Sequence, residues 1–369
     1  MSNPYLLLTP GPLSTTSSVK EAMLKDWCTW DDDYKQIVQS IRSKLLQVGQ
    51  VSEAHYTTVF MQGSGTFGVE AAIGTAVPAD GKLLILVNGA YGTRMQDIAK
   101  VLGIRSETLV FAFNQKLDVE QVNEALERDD EITHVAFVHC ETSTGILNPI
   151  DKLMKVIKRH RKIAIVDAMS SFGGIPIAVE DLGIDYVISS ANKCIQGVPG
   201  FSFILCRISE LAKCEGRARS LSLDVYDQWR VMDSEPGKWR FTSPTHVVRA
   251  FHQALIELEQ EGGVEKRHER YVLHQLALVS LMEKAGFATL LPKSLQSPII
   301  TTFKYPLHSE FTFESFYRFL KEKGFVIYPG KLSEEHVFRI GTIGDISMEK
   351  MIELGKAVSA YVTDIMGGQ

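Results

Sequence analysis

The sequence predicts an α/β fold: a mostly parallel sheet covered on both faces by helices, followed by a smaller C-terminal α+β domain. Three observations carry this. From about residue 57 to 205, short apolar or β-branched runs alternate with helix-length stretches, the order that builds parallel sheets through crossover helices. Two of those runs, Ile163–Val166 and Tyr186–Ile188, lead to the titratable residues Asp167 and Lys193, where open α/β sheets bind ligands. Past Gly262-Gly263 the pattern changes to shorter strands alternating with helices. The expected division is an arm over 1–14, a large domain over 15–262 and a C-terminal domain over 263–369.

A chain of 369 residues has room for two such domains. Its 45% hydrophobic and 22% charged residues are ordinary for a globular protein. A net charge of −5, without a polybasic block, argues against nucleic acid as a partner. The longest apolar runs, such as Leu83–Val87, are strand-sized, so no membrane span is expected. Met1–Tyr5 lacks a charged n-region and a long apolar core, and the five cysteines form no CxxC pair. Both points suit a cytoplasmic protein with free thiols.

In chain order, Thr9-Pro10-Gly11-Pro12 is a stiff turn that cannot enter a helix. Ser17–Leu24 reads as a short helix. Asp31-Asp32-Asp33 suits the N-cap and first turn of a helix over Tyr34–Val48 better than a metal site. The ten histidines contain no i,i+3 or i,i+4 pair, so no metal is expected.

Thr57–Met61 is a strand, and Gln62-Gly63-Ser64-Gly65-Thr66 opens a helix through Val77. Glycines admit close backbone approach, and the helix N-terminus offers unpaired N–H groups, so Ser64, Gly65 and Thr66 read as a phosphate cradle. Gly63, Gly65 and Gly68 also satisfy the dinucleotide fingerprint, which wants an acid at the end of the next strand. That strand, Lys82–Val87, ends in Asn88-Gly89-Ala90-Tyr91. The acid is missing, which argues against a nicotinamide dehydrogenase.

A helix over Gly92–Leu102 carries Arg94. A helix over Val119–Arg128, a strand over His134–His139 and the segment Glu141–Gly145 follow. Pro149 starts a helix ending near Arg161, and strand Ile163–Val166 delivers Asp167. Tyr186–Ile188 leads through Ser189–Asn192 to Lys193. Cys194 beside it reads as a packed thiol. Phe201–Cys206 is a further strand, 214–246 is expected to be irregular, and Val247–Gln260 and Val264–Ala285 are helices. Phe313–Lys323 and Met348–Val362 are the last two. Arg339, flanked by apolar residues on both sides, needs a carboxylate or an anionic ligand as partner.

A desolvated lysine has its pKa pulled down, and its neutral amine can form a Schiff base. An aspartate at the same sheet edge can pair with a pyridinium nitrogen. Together these are the needs of pyridoxal phosphate. A solvated lysine that merely ends a strand, and an aspartate serving as a helix cap, remain the plainer alternatives at this level.

The sequence resembles the class V aminotransferases of the fold-type I pyridoxal-phosphate enzymes. The likeness is carried by LLLTPGPL (6–13), QGSGTFGVEA (62–71), NGAYGTRM (88–95), HCETSTGILNPID (139–151), VDAMSSFGG (166–174) and SSANKCIQGVPGF (189–201), and continues through FVIYPGK (325–331) and FRIGTIG (338–344). CTWDDDY (28–34) and KWRFTSPTH (238–246) resemble the branch that uses 2-aminoethylphosphonate and pyruvate.

The resemblance implies a seven-stranded sheet with Phe201–Cys206 antiparallel, an arm along the active-site mouth, and a homodimer. It implies that Lys193 carries pyridoxal 5'-phosphate and that Asp167 meets the ring nitrogen. Tyr91 would stack on the ring and Thr142 would bond its phenolic oxygen. Ser64, Gly65, Thr66, Asn192 and a neighbouring subunit's Thr242 would hold the phosphate. Arg339 would hold the substrate's anion. Trp30, Arg240 and Arg249 are candidates for selecting phosphonate over carboxylate. The nearest rivals are alanine–glyoxylate and serine–pyruvate aminotransferases. A cysteine desulfurase needs a late catalytic cysteine, and none follows Cys214.

Overall fold

Seven strands form the central sheet of the computed structural model, which describes residues 5–331, 336–365 and 367. The first four residues of the expected arm lie outside the described residues. The spatial order is Tyr56–Gln62, Phe201–Arg207, Tyr186–Ser190, Ile163–Asp167, Ile132–Val138, Lys82–Val87 and Ser106–Val110. All neighbouring pairs are parallel except those of Phe201–Arg207, which runs antiparallel to both its neighbours. The expected sheet, including its one reversed strand, is therefore the one formed.

Its inner strands, such as Lys82–Val87 and Ile132–Val138, are near-continuous buried runs because both faces are covered. One face packs Val38, Ile41 and Leu45 of helix Asp32–Val48, Leu153 and Ile157 of helix Ile150–Arg159, and Phe251 and Leu255 of helix Thr245–Glu261. The other packs Val69 and Ile73 of helix Gly65–Ala76 and Met95 and Ala99 of helix Ala90–Val101. A separate antiparallel sheet of Ile300–Lys304, Val337–Gly341 and Tyr328–Pro329 has its own core around Phe303, Phe316, Phe338 and Met351. Leu8 belongs to that core, and Leu6–Leu7 pairs with Phe325–Val326. The N-terminal arm is thus sewn to the C-terminal part.

Two elements depart from expectation. Residues 214–246 are not wholly irregular: Val225–Ser234 is a helix, capped by Asp224, whose side chain accepts from the Asp227 amide at 3.0 Å. Val225, Gln228 and Met232 are its buried stripe, a 3.6-period signal hidden among polar neighbours. Strand Ser106–Val110 was not anticipated, because it is the sheet edge and alternates partly exposed residues instead of forming an apolar run. Elsewhere, helix Val119–Arg128 and strand Lys82–Val87 have the bounds read from the sequence.

Candidate active site

The chain crosses over between Lys82–Val87 and Ile132–Val138, and a crevice opens at the carboxyl ends of the strands there, as topology requires. A cavity of about 220 Å³ lies at this edge. Ser64, Gly65, Thr66, Tyr91, Asp167, Asn192 and Lys193 all line it. Four separate segments therefore converge on a single pocket, although these residues span 130 positions of the chain.

Asp167 and Lys193 come together because their strands are neighbours. Asp167, the last residue of its strand, pairs with Ile188, and Lys193 follows three residues after that second strand ends. The Lys193 ammonium donates to the carbonyls of Pro10 and Gly11 at 3.0 and 3.2 Å. Burial pulls its pKa below the ordinary lysine value, against the opposing pull of Tyr91 and Asp167. This is a desolvated amine, not a solvated strand-end lysine. The arm reaches it through Gly11, whose φ is +110°. A Cβ there would meet the Asn192 carbonyl oxygen at 2.6 Å, so glycine is required for the close approach.

Asp167 is buried, and burial raises its pKa to about 6. The Met169 amide, donating to Oδ1 at 2.8 Å, and the charges of Lys193 and Arg94 oppose that rise. Oδ2 has no hydrogen bond from the described residues. Opposite the carboxylate, the cradle is the N-terminus of helix Gly65–Ala76. Ser64 occupies the N-cap position, but its hydroxyl makes no capping bond, so it remains available to a ligand. A Cβ on Gly65 would collide with the Met169 thioether.

Arg94 lines the same cavity and donates to the Thr66 hydroxyl at 3.0 Å, adding a full positive charge to the cradle. Its role escaped the sequence, although its place one turn after Tyr91 was a signal. Met169 and Ser190 were also missed, each being a small step from a motif residue.

Tyr91 forms a wall at the start of helix Ala90–Val101. Its phenol would be raised by burial, but the charges of Lys331 and Lys193 and contacts with Thr142 and Lys331 outweigh this and lower it. Beneath it the buried Glu141 carboxylate accepts from the Tyr91 and Gly92 amides at 3.1 and 3.4 Å, pinning the helix start. Burial raises the Glu141 pKa despite these bonds.

Thr142 is buried beside the Tyr91 hydroxyl and is not among the cavity-lining residues. Arg339 lies behind it. This arginine is 5% exposed and donates through Nη1 to the Thr142 carbonyl at 2.9 Å and through Nε to the Pro329 carbonyl at 3.0 Å. Among the described residues it has no ion pair with a carboxylate. Of the two partners expected, a carboxylate or an anionic ligand, the described residues supply no paired carboxylate; backbone oxygens orient the guanidinium, and Glu141 acts on it only through its charge.

Thr242 is exposed and does not line this cavity. Trp30, Arg240 and Arg249 are not brought to it either. Trp30 is 72% exposed, Arg240 pairs with Asp227 at 3.5 Å, and Arg249 meets His252 at 3.2 Å. Cys194 is a packed thiol whose Sγ faces the Ser170 carbonyl at 3.3 Å.

An anion cradle, an aromatic wall, a buried carboxylate and a desolvated amine match the donor set that a phosphorylated pyridine aldehyde needs. The fold is that of the fold-type I pyridoxal-phosphate transferases. Residues 24–343 match the family model described as aminotransferase class-V. The chain belongs to that family, and it is an aminotransferase.

Among its relatives is the 2-aminoethylphosphonate–pyruvate transaminase of Vibrio vulnificus, 58% identical over 94% of both chains. The Bacteroides fragilis protein of the same name is 58% identical over 96% of this chain and 98% of its own. Among solved structures, the alanine–glyoxylate aminotransferase of a Nostoc species superposes with a TM-score of 0.90. It is 26% identical and covers 98% of this chain and 96% of that one.

Proposed function

We propose that this aminotransferase converts 2-aminoethylphosphonate and pyruvate into phosphonoacetaldehyde and L-alanine. The observation that carries the reading is the buried guanidinium of Arg339, which forms no ion pair among the described residues, in a chain 58% identical to relatives named for this reaction. A guanidinium forks onto either phosphonate or carboxylate, so one residue can serve an amino donor and a keto acceptor in turn.

Pyridoxal phosphate, when bound, supplies an aldehyde that exchanges amines and a ring that accepts electrons. Lys193 would carry it on Nζ. Burial lowers its pKa and so favours the neutral amine, and the Pro10 and Gly11 carbonyls aim that amine. With its amine free, Lys193 Nζ would move a proton at the substrate's amine-bearing carbon, first as general base and then as general acid. Asp167, with Oδ1 pinned by Met169, would use Oδ2 to hold a proton on the ring nitrogen.

Ser64, Gly65, Thr66 and Asn192 would hold the phosphate, with Arg94 balancing its charge. Tyr91 would stack against the ring, and Thr142 would meet its phenolic oxygen. These assignments are supported by shared lining of one cavity, except for Thr142, whose support is contact with Tyr91.

We further propose a cytoplasmic homodimer in which Thr242 reaches the neighbouring subunit's phosphate. Exposed apolar side chains near the cradle and near Thr242, Phe67 at 49% and Phe241 at 53%, support a covering surface there. Among the described residues no helix is long and apolar enough to cross a membrane.

The test is the purified holoenzyme with 2-aminoethylphosphonate, L-serine or L-alanine as donor, with pyruvate or glyoxylate as acceptor, read by the cofactor's absorbance and by product. A preference for 2-aminoethylphosphonate with pyruvate is expected. A preference for serine, or for alanine with glyoxylate, rejects the substrate assignment and leaves the family intact.

A further inference from the structure

Arg339 explains how an anion is held and does not explain which anion. A guanidinium presents the same pair of N–H groups to a phosphonate or a carboxylate. The two ligands differ in shape and charge: the phosphonate is tetrahedral, with a third oxygen and a second ionisable proton, whereas the carboxylate is planar and singly charged. Discrimination needs a second group that answers to the additional oxygen and charge.

The segment Tyr328–Lys331 supplies one. Tyr328 pairs with Arg339 across the C-terminal sheet, and the Pro329 carbonyl accepts from Arg339 Nε at 3.0 Å. The chain then turns at Gly330, packed so tightly on Val337 that a Cβ there would strike it. Lys331 follows, and its Nζ sits 4.0 Å from the centroid of the Tyr91 ring, against the Tyr91 hydroxyl. Its charge also acts on the Lys193 amine. Arg339, bonded to the Thr142 carbonyl, acts through its charge on the same Tyr91. Two cations from one hairpin therefore act on the ring that walls the cavity, and the charge of one of them also bears on the Lys193 amine.

We propose that Lys331 is the second cation of the substrate-anion site, and that with Arg339 it sets the preference for a doubly charged phosphonate over a singly charged carboxylate. This rests on the substrate reading given above. An ammonium on a four-carbon stem is a movable point charge, suited to the third oxygen of a tetrahedral group. With a carboxylate bound, the exposed side chain returns to water at little cost. The backbone-held Arg339 provides the common affinity, and Lys331 provides the difference.

The experiment compares Lys331→Met and Lys331→Arg with the unaltered holoenzyme, following single half-reactions with 2-aminoethylphosphonate and with L-alanine by cofactor absorbance. A charge-assisted contact is worth roughly 10–100-fold. Lys331→Met is expected to lower the kcat/KM ratio of 2-aminoethylphosphonate to L-alanine by about tenfold or more, mostly through KM. Lys331→Arg is expected to keep that ratio within about threefold. Unchanged cofactor spectra and melting temperatures establish that both variants are folded and loaded.

A ratio unmoved by Lys331→Met, or lowered equally by both variants, overturns the proposal. If the unaltered enzyme itself fails to use 2-aminoethylphosphonate, the substrate reading falls and takes this one with it.

Discussion

Arg339 Nη1 donates to the carbonyl oxygen of Thr142 at 2.9 Å, across 197 positions of sequence. This bond ties the C-terminal sheet to the loop that follows strand Ile132–Val138 at the centre of the main sheet. The Arg339 guanidinium and the Thr142 loop are therefore held together by a direct, buried hydrogen bond.

Replacing Arg339 by lysine is expected to be severe. Lysine cannot donate to the Pro329 and Thr142 carbonyls while also forking onto a ligand. We expect kcat/KM to fall roughly 10²–10³-fold for amino donor and keto acceptor alike. Steady-state kinetics with both substrates check this, and a loss confined to one substrate contradicts the shared-site reading.

Asp167 couples stability to pH in the cofactor-free protein. Its pKa rises from the ordinary 3.8 to about 6 on folding, so the folded state favours the protonated acid. Stability from this group is full below about pH 4 and is lost as pH rises through about 6, at a cost of up to ~3 kcal/mol. Asp167→Asn should remove that loss and make the apo-protein more stable than the unaltered chain at pH 8, while abolishing most transamination. Urea unfolding at pH 5 and pH 8 measures it. Equal pH dependence in both proteins contradicts the desolvated-acid account.

Lys193→Ala should lose the covalent cofactor link and at least ~10³-fold in turnover. Borohydride treatment followed by peptide mass analysis should find reduced cofactor on Lys193 in the unaltered enzyme and on no peptide of the variant. Fixation at another lysine sinks the assignment.

Gly11→Ala places a side chain at φ +110°, against the Asn192 carbonyl and the Lys193 stem. Backbone strain alone should cost about 1–3 kcal/mol. Because the Gly11 carbonyl also receives the Lys193 amine, the visible band of the bound cofactor should shift as well. A variant with unaltered spectrum and melting temperature shows that the arm is not held where the structure places it.

If Thr242 serves a neighbouring subunit, Thr242→Ala should weaken cofactor binding by about 5–10-fold, the loss of one hydrogen bond. Light scattering should still find a dimer. A monomeric parent protein with full cofactor affinity would refute the crossing arrangement.

Much of the site was legible because its residues sit at punctuation marks. Asp167 and Lys193 follow apolar runs that could only be buried strands, and Ser64–Thr66 lies between a strand and a helix in a glycine-rich turn. Arg94 and Lys331 were not legible as site residues. An exposed-looking cation on a helix or loop has the same local signature whether it faces solvent or a cavity, and only the packing of distant segments tells which. The helix Val225–Ser234 was lost for a related reason: its apolar stripe is short and diluted by polar neighbours.

The amino-acid sequence by itself determined the α/β order, the one reversed strand as a family likeness, and the acid and amine at a common sheet edge. These follow from local periodicity and from which residues end each run. Tertiary structure alone decided that the arm's Pro10 and Gly11 aim the lysine, that Arg339 is held by carbonyls instead of a carboxylate, and that Lys331 reaches Tyr91. Apart from the Pro329 carbonyl within the same hairpin, those relationships join positions more than 180 residues apart, and no local energy term records them until the core has closed.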